Sequence, residues 1–62
     1  MRIEEAIKRR VAIGTRISYT KLLDEMSGRF DNERAIQLAI MAMVKRMEFE
    51  NLEARKILVR KR

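Results

Sequence analysis

The 62-residue sequence contains no cysteine, histidine, proline or tryptophan. Without cysteine there is no disulfide and no thiol chemistry, and without histidine the commonest metal ligand and general base is missing. The serine and threonine hydroxyls therefore lack their usual activating base. Gly14 and Gly28 stand alone, so no glycine-rich phosphate loop exists. These absences argue against an enzyme and against a metal or cofactor site.

The composition is that of a small folded domain. Hydrophobic residues make up 47% of the chain and charged residues 39%, which is typical of a globular protein. We interpret residues 1–62 as a single domain, either a complete gene product or a fragment of a longer protein. The N-terminus lacks the pattern of a signal peptide, so we expect a cytoplasmic location.

The segment 35–44, AIQLAIMAMV, contains Gln37 as its only polar residue. Ten residues are too few to cross a bilayer, which needs about 20, so no membrane association is expected. A helix that is apolar almost all round is either central to a core or also packed against a partner.

Hydrophobic spacing predicts helices first and strands afterwards. Apolar residues recur at helical spacing in the first three quarters of the chain and then alternate. The predicted elements are a helix over 2–12, a short extended piece at 16–18, a helix from Ser18 or Thr20 to before Gly28, a helix with Asp31 as N-cap running to about Arg46, and a hairpin over 47–60.

This order predicts an α+β, mainly α fold of the winged-helix type, with three helices, a short strand and a two-stranded wing. The hairpin would place Phe49 in the core and set Glu48 and Glu50 across from Lys56 and Arg60. Two alternatives remain: the chain is a three-helix bundle with a frayed basic tail, or it is one half of a dimer.

The third helix has two faces on a helical wheel. The inward stripe contains Ile36, Ile40, Met43 and Met47. The outward face contains Arg34, Gln37, Leu38, Met41 and Lys45. Large apolar side chains in the middle of that face suit a protein interface better than a DNA groove. If the wheel is slightly out of phase, Leu38 and Met41 are simply core residues.

The net charge of +6 keeps a nucleic-acid interpretation open. The basic residues concentrate at 8–10 and 55–62, and an ordinary solvated surface with a basic tail would show the same distribution. In the nucleic-acid interpretation, Arg34 and Gln37 contact base edges. The predicted phosphate contacts are Lys45, Arg55, Lys56 and Arg60.

The segments 16–23, RISYTKLL, and 35–46, AIQLAIMAMVKR, resemble the C-terminal winged-helix domain of kleisins of the ScpA type. The chain departs from that family in having Met47-Glu48 where a small turn residue, often glycine, follows the third helix. It also has the segment 51–56 in place of an acidic wing.

The resemblance implies a non-catalytic module without a cofactor. It would dock on the ATPase head of an SMC protein in chromosome condensation and segregation, in a nucleoid-associated complex. The implied interface residues are Leu38, Met41, Phe49, Leu58 and Val59. The alternative function is that of a small winged-helix DNA-binding protein, a transcriptional regulator or repressor. In either case we expect weak, non-specific DNA binding.

Overall fold

The computed structural model describes residues 3–52, 54 and 56–62. Along the chain the elements are α1 (Ile3–Arg10), β1 (Arg16–Ser18), α2 (Tyr19–Ser27), α3 (Glu33–Lys45), β2 (Phe49–Leu52) and β3 (Ile57–Arg60). This is the predicted order, and the winged-helix fold is confirmed. Within the described residues, no helix is both long and apolar enough to cross a membrane.

Side chains cap the two helices of the helix-turn-helix. The Ser18 hydroxyl accepts a hydrogen bond from the backbone N–H of Lys21 at the start of α2. At α3 the cap is Asn32, whose Oδ1 accepts from the N–H of Ala35 at 3.0 Å. The prediction of Asp31 as this cap is wrong by one residue, because Asn32 is the residue whose side chain reaches an unpaired donor of the first turn.

The end of α3 is a tight turn with a left-handed residue. The N–H of Met47 donates to the carbonyl of Val44, and the N–H of Glu48 donates to that of Met43. These two bonds define the Schellman motif, whose turning position usually holds glycine. Here Met47 adopts that conformation with φ at 65°. The prediction that Met47 faces the core is wrong, because the turn leaves its side chain 67% exposed.

The sheet is antiparallel with strand order β1-β3-β2, so β3 is its central strand. Leu58 and Arg60 point towards the helices, whereas Ile57 and Val59 lie on the outer face. The predicted pairing of Glu48 and Glu50 with Lys56 and Arg60 is wrong. The register instead sets Glu50 opposite Val59 and Phe49 opposite Arg60.

The core lies between the three helices and the inner face of the sheet. Each helix contributes residues at helical spacing, and β1, β2 and β3 contribute one apolar residue each. Phe49 is 2% exposed, which confirms its predicted place in the core. The buried apolar residues are Ile3, Ala6, Ile7, Val11, Ile17, Leu22, Met26, Ile36, Ile40, Met43, Phe49 and Leu58.

Candidate docking surface on the third helix

The outward face of α3 carries exposed apolar side chains. Leu38 is 59% exposed and Met41 is 40% exposed, whereas Ile40 between them is fully buried. The predicted division of the helix into an inward and an outward face is therefore correct for these three residues. Their exposure also excludes the alternative in which Leu38 and Met41 belong to the core.

Four apolar residues, here called the apolar strip, follow one another every three positions: Leu38, Met41, Val44 and Met47. A shallow groove of about 480 Å³ runs beside the strip, between α3 and Asn51 of β2. Val44 lines both this groove and the adjoining one that contains Met47. The two grooves therefore adjoin at Val44, which is partly buried and also packs against the core.

A second groove lies on the other side of Leu38, between α1 and α3. It has a volume of about 530 Å³. Its floor contains the small side chains of Ala35, Ala39 and Ala42, and Glu4 and Glu5 lie on the α1 side. Leu38 stands between the two grooves and lines both of them. At 59% it is more exposed than Met41, the other apolar residue of this face.

The structure brings only part of the predicted interface together. Phe49 and Leu58 are 2% and 0% exposed, so their side chains support the fold and offer no contact surface. Val59 is half-buried on the outer face of the sheet, opposite Arg16 and Glu50. Leu38 and Met41 remain from the predicted set. Sequence reasoning placed Val44 and Met47 on the core side of α3; Val44 does pack partly against the core, whereas Met47 is exposed.

Cations flank Leu38 and Met41, the first two residues of the strip. Arg34 precedes Leu38 by one turn, and Lys45 follows Met41 by one turn, on the same face of α3. Both side chains are exposed, and neither forms a salt bridge within residues 3–52, 54 and 56–62. Gln37, the other predicted base-reading residue, is half-buried beside them.

Most other predicted DNA contacts are occupied or lie elsewhere. Lys8 pairs with Glu48 at 3.2 Å, Arg10 with Glu25, and Lys61 with Glu50 at 3.2 Å. Lys56 is exposed, and Arg55 lies outside the described residues. Three cations of the basic segments are therefore held in salt bridges between elements.

Arg60 is buried and binds backbone oxygens at the end of α1. Its Nη1 donates to the carbonyl of Val11 at 2.8 Å and to that of Lys8 at 3.3 Å. Its Nε donates to the backbone oxygen of Arg62. The predicted phosphate contact is wrong for Arg60, which is 8% exposed and serves as a cap for the helix C-terminus.

An ion-pair network fastens α1 to the end of α3. Arg46 bonds to both Glu4 and Glu48, and Lys8 also reaches Glu48. The hydrogen bond from Arg46 lowers the pKa of Glu48 below its usual range, and the bond from Lys8 adds to this effect. The hydrogen bond from Arg10 likewise lowers the pKa of Glu25, which joins α1 to α2. These shifts have structural causes and do not indicate a catalytic acid.

Within the described residues, no group of three acidic side chains could hold a metal ion. The apolar strip and the two cations beside Leu38 and Met41 are the exposed features on which a docking role rests.

Comparison with known proteins identifies the family. Residues 2–60 match the family described as "MCM5, C-terminal domain". The chain belongs to the MCM5 C-terminal domain family. It is also 40% identical over 58 residues to the protein named "DNA replication licensing factor MCM5" from Oryza sativa subsp. indica. That match covers 94% of this chain and 8% of the rice protein. No solved structure matches the chain closely enough to be significant.

The membership corrects the interpretation drawn from the ScpA-like segments. The match to the MCM5 C-terminal domain extends over nearly the whole chain, so the kleisin assignment is wrong. The functions that the kleisin assignment implied are therefore wrong too: docking on an SMC head, a role in chromosome condensation and segregation, and a nucleoid location. The transcriptional regulator is not supported either. The resemblance rested on patterns of residue class in the segments 16–23 and 35–46, and no residue in them is a fixed signature.

Proposed function

We propose that this winged helix is a non-catalytic docking module of a DNA replication licensing factor, which binds another protein of the MCM complex through the apolar strip. The rice relative is named as a licensing factor, and MCM5 acts together with other MCM proteins. The proposal places the domain with the chromosomal DNA and assigns the contact to α3.

The exposure of Leu38 and Met41 carries this proposal. A helix that reads a DNA groove presents polar side chains to the base edges. This α3 presents two large apolar side chains at the centre of the corresponding face. Burying them against another protein is favourable at about 25 cal/mol per Å² of apolar surface.

Capture of MCM proteins tests the proposal. The parent chain and the double variant Leu38→Glu/Met41→Glu are immobilised and exposed to purified MCM proteins. The parent should retain at least one of them, and the variant should lose it, because a charge buried in an apolar interface has no partner. Thermal melts should change little, since exposed substitutions usually stay within about 0.5 kcal/mol.

Ile13→Glu is the matched control. Ile13 is 66% exposed, in the segment between α1 and β1 and away from the strip. Its substitution adds a charge to an exposed apolar residue without touching α3, so capture should persist. Equal capture by all three chains, or its loss with Ile13→Glu as well, would rule out the apolar strip as the docking site.

A further inference from the structure

Two exposed cations, Arg34 and Lys45, flank Leu38 and Met41 on the surface of α3. Arg34 and Lys45 are eleven residues apart, which is about 16 Å along a helix and about 20° around it. Leu38 and Met41 lie between them on the same face. The surface therefore has an apolar centre with one exposed cation at each end.

From this pattern we infer that the strip binds an acidic amphipathic helix, with two carboxylates about three turns apart on either side of its apolar residues. The inference rests on the proposed function and names the chemistry of its partner. A helix laid along α3 meets the strip with its apolar side. Its two carboxylates then reach Arg34 and Lys45.

A second copy of this chain does not fit the same surface. In an antiparallel arrangement centred between Leu38 and Met41, Arg34 of each copy would lie opposite Lys45 of the other. In a parallel arrangement each cation would meet its own counterpart. Both arrangements place like charges together at the edge of an apolar contact, which opposes association.

Met47, the last residue of the strip, occupies a strained turn position. Its left-handed φ of 65° is unfavourable for a residue with a side chain, and glycine would relieve that strain. The side chain is nevertheless large, apolar and 67% exposed. Because glycine relieves the strain and an exposed side chain contributes little packing, Met47→Gly should raise the melting temperature.

The test uses two synthetic helical peptides of about 18 residues, long enough to cover the strip and both cations. Both carry leucines on one side. One has glutamates eleven positions apart, and the other has lysines at those two positions. Fluorescence anisotropy with the parent chain should give about ten-fold tighter binding of the glutamate peptide. Methyl NMR should place the contact at Leu38 and Met41.

Charge reversal separates a local contact from net charge. Arg34→Glu/Lys45→Glu should reverse the preference, so that the lysine peptide binds more tightly. The matched control, Lys21→Glu/Arg29→Glu, changes the net charge equally at exposed positions outside α3 and should keep the parent preference.

The inference fails if both double variants shift equally, if the two peptides bind the parent equally, or if neither binds. It also fails if duplex DNA displaces the glutamate peptide from the same methyl groups at lower concentration. Capture of MCM proteins that depends on Leu38 and Met41 but not on Arg34 and Lys45 would refute this inference alone. Selective peptide binding without any capture would refute the proposed function alone.

Discussion

Replacing Arg60 by methionine tests whether the guanidinium holds the end of α1. Methionine is a long, flexible, apolar side chain that can fill this buried site, but it has none of the N–H donors of the guanidinium. The bonds lost include the one from Nη1 to the carbonyl of Val11, at 2.8 Å. The bond to Lys8 is long at 3.3 Å, and the bond to Arg62 joins the last residue of the chain.

The expected cost of Arg60→Met is about 2 kcal/mol of unfolding free energy. A hydrogen bond from a charged donor contributes about 1.5–3 kcal/mol, and relief from burying a charge returns part of the loss. In a domain of this size, each kcal/mol shifts the melting temperature by about 4–8 °C. A decrease of about 8–16 °C should therefore appear in a melt followed by circular dichroism.

Lys56→Met is the control for this experiment. Lys56 is exposed, and its substitution removes the same charge without disturbing a buried bond. Its melting temperature should stay close to that of the parent. If Arg60→Met melts like the parent and instead weakens DNA binding more than Lys56→Met does, Arg60 acts as a surface cation and the capping role is refuted.

Three further predictions concern the core, acidity and DNA. Ile40→Ala and Phe49→Ala should lower the unfolding free energy by about 2–5 and 3–5 kcal/mol, because both remove buried side chains; parent-like urea transitions would place these residues outside the core. The pKa of Glu48 is lowered in the folded protein, so ionised Glu48 should stabilise the fold above its ordinary pKa of 4.5. This stabilisation should disappear as the pH falls through the lower pKa of the folded state. Stability measured against pH should thus differ between the parent and Glu48→Gln near neutrality and converge in acid; a constant difference would contradict the shift. A labelled duplex should bind weakly at about 50 mM salt and much less at about 200 mM, and sequence-selective binding that survives the higher salt would contradict the docking proposal.

Local patterns were sufficient to predict most of the fold. The helical spacing of Ile36, Ile40 and Met43 correctly indicated the buried face of α3, and the change to alternation after the helix indicated the wing. The inward face of β3 was harder to predict, because its sequence of Ile57, Leu58, Val59 and Arg60 has apolar residues at both alternating positions. Pairing with β1 and β2 decides that Leu58 and Arg60 face inwards.

The role of Arg60 could not be predicted from its place in a basic C-terminal run. An arginine in such a run is usually solvated, and its partners here are carbonyls about fifty residues away in the sequence. Long-range placement of α1 against the sheet, which no local pattern specifies, creates this site. The same limit applies to Lys8 and Arg10, whose acidic partners lie on other elements.

Stability and binding make opposing demands at the end of α3. A glycine at position 47 would ease the Schellman turn, and a polar residue at position 38 or 41 would suit an exposed helix face. The chain instead has Met47, Leu38 and Met41 at these positions, all with large exposed side chains. None of the three is needed to close the core, because Ile36, Ile40 and Met43 already fill the inward face. Leu38 and Met41 lie on one face of α3 and Met47 lies in the turn that follows it, and the proposed docking role accounts for large apolar side chains at positions where the isolated fold favours none.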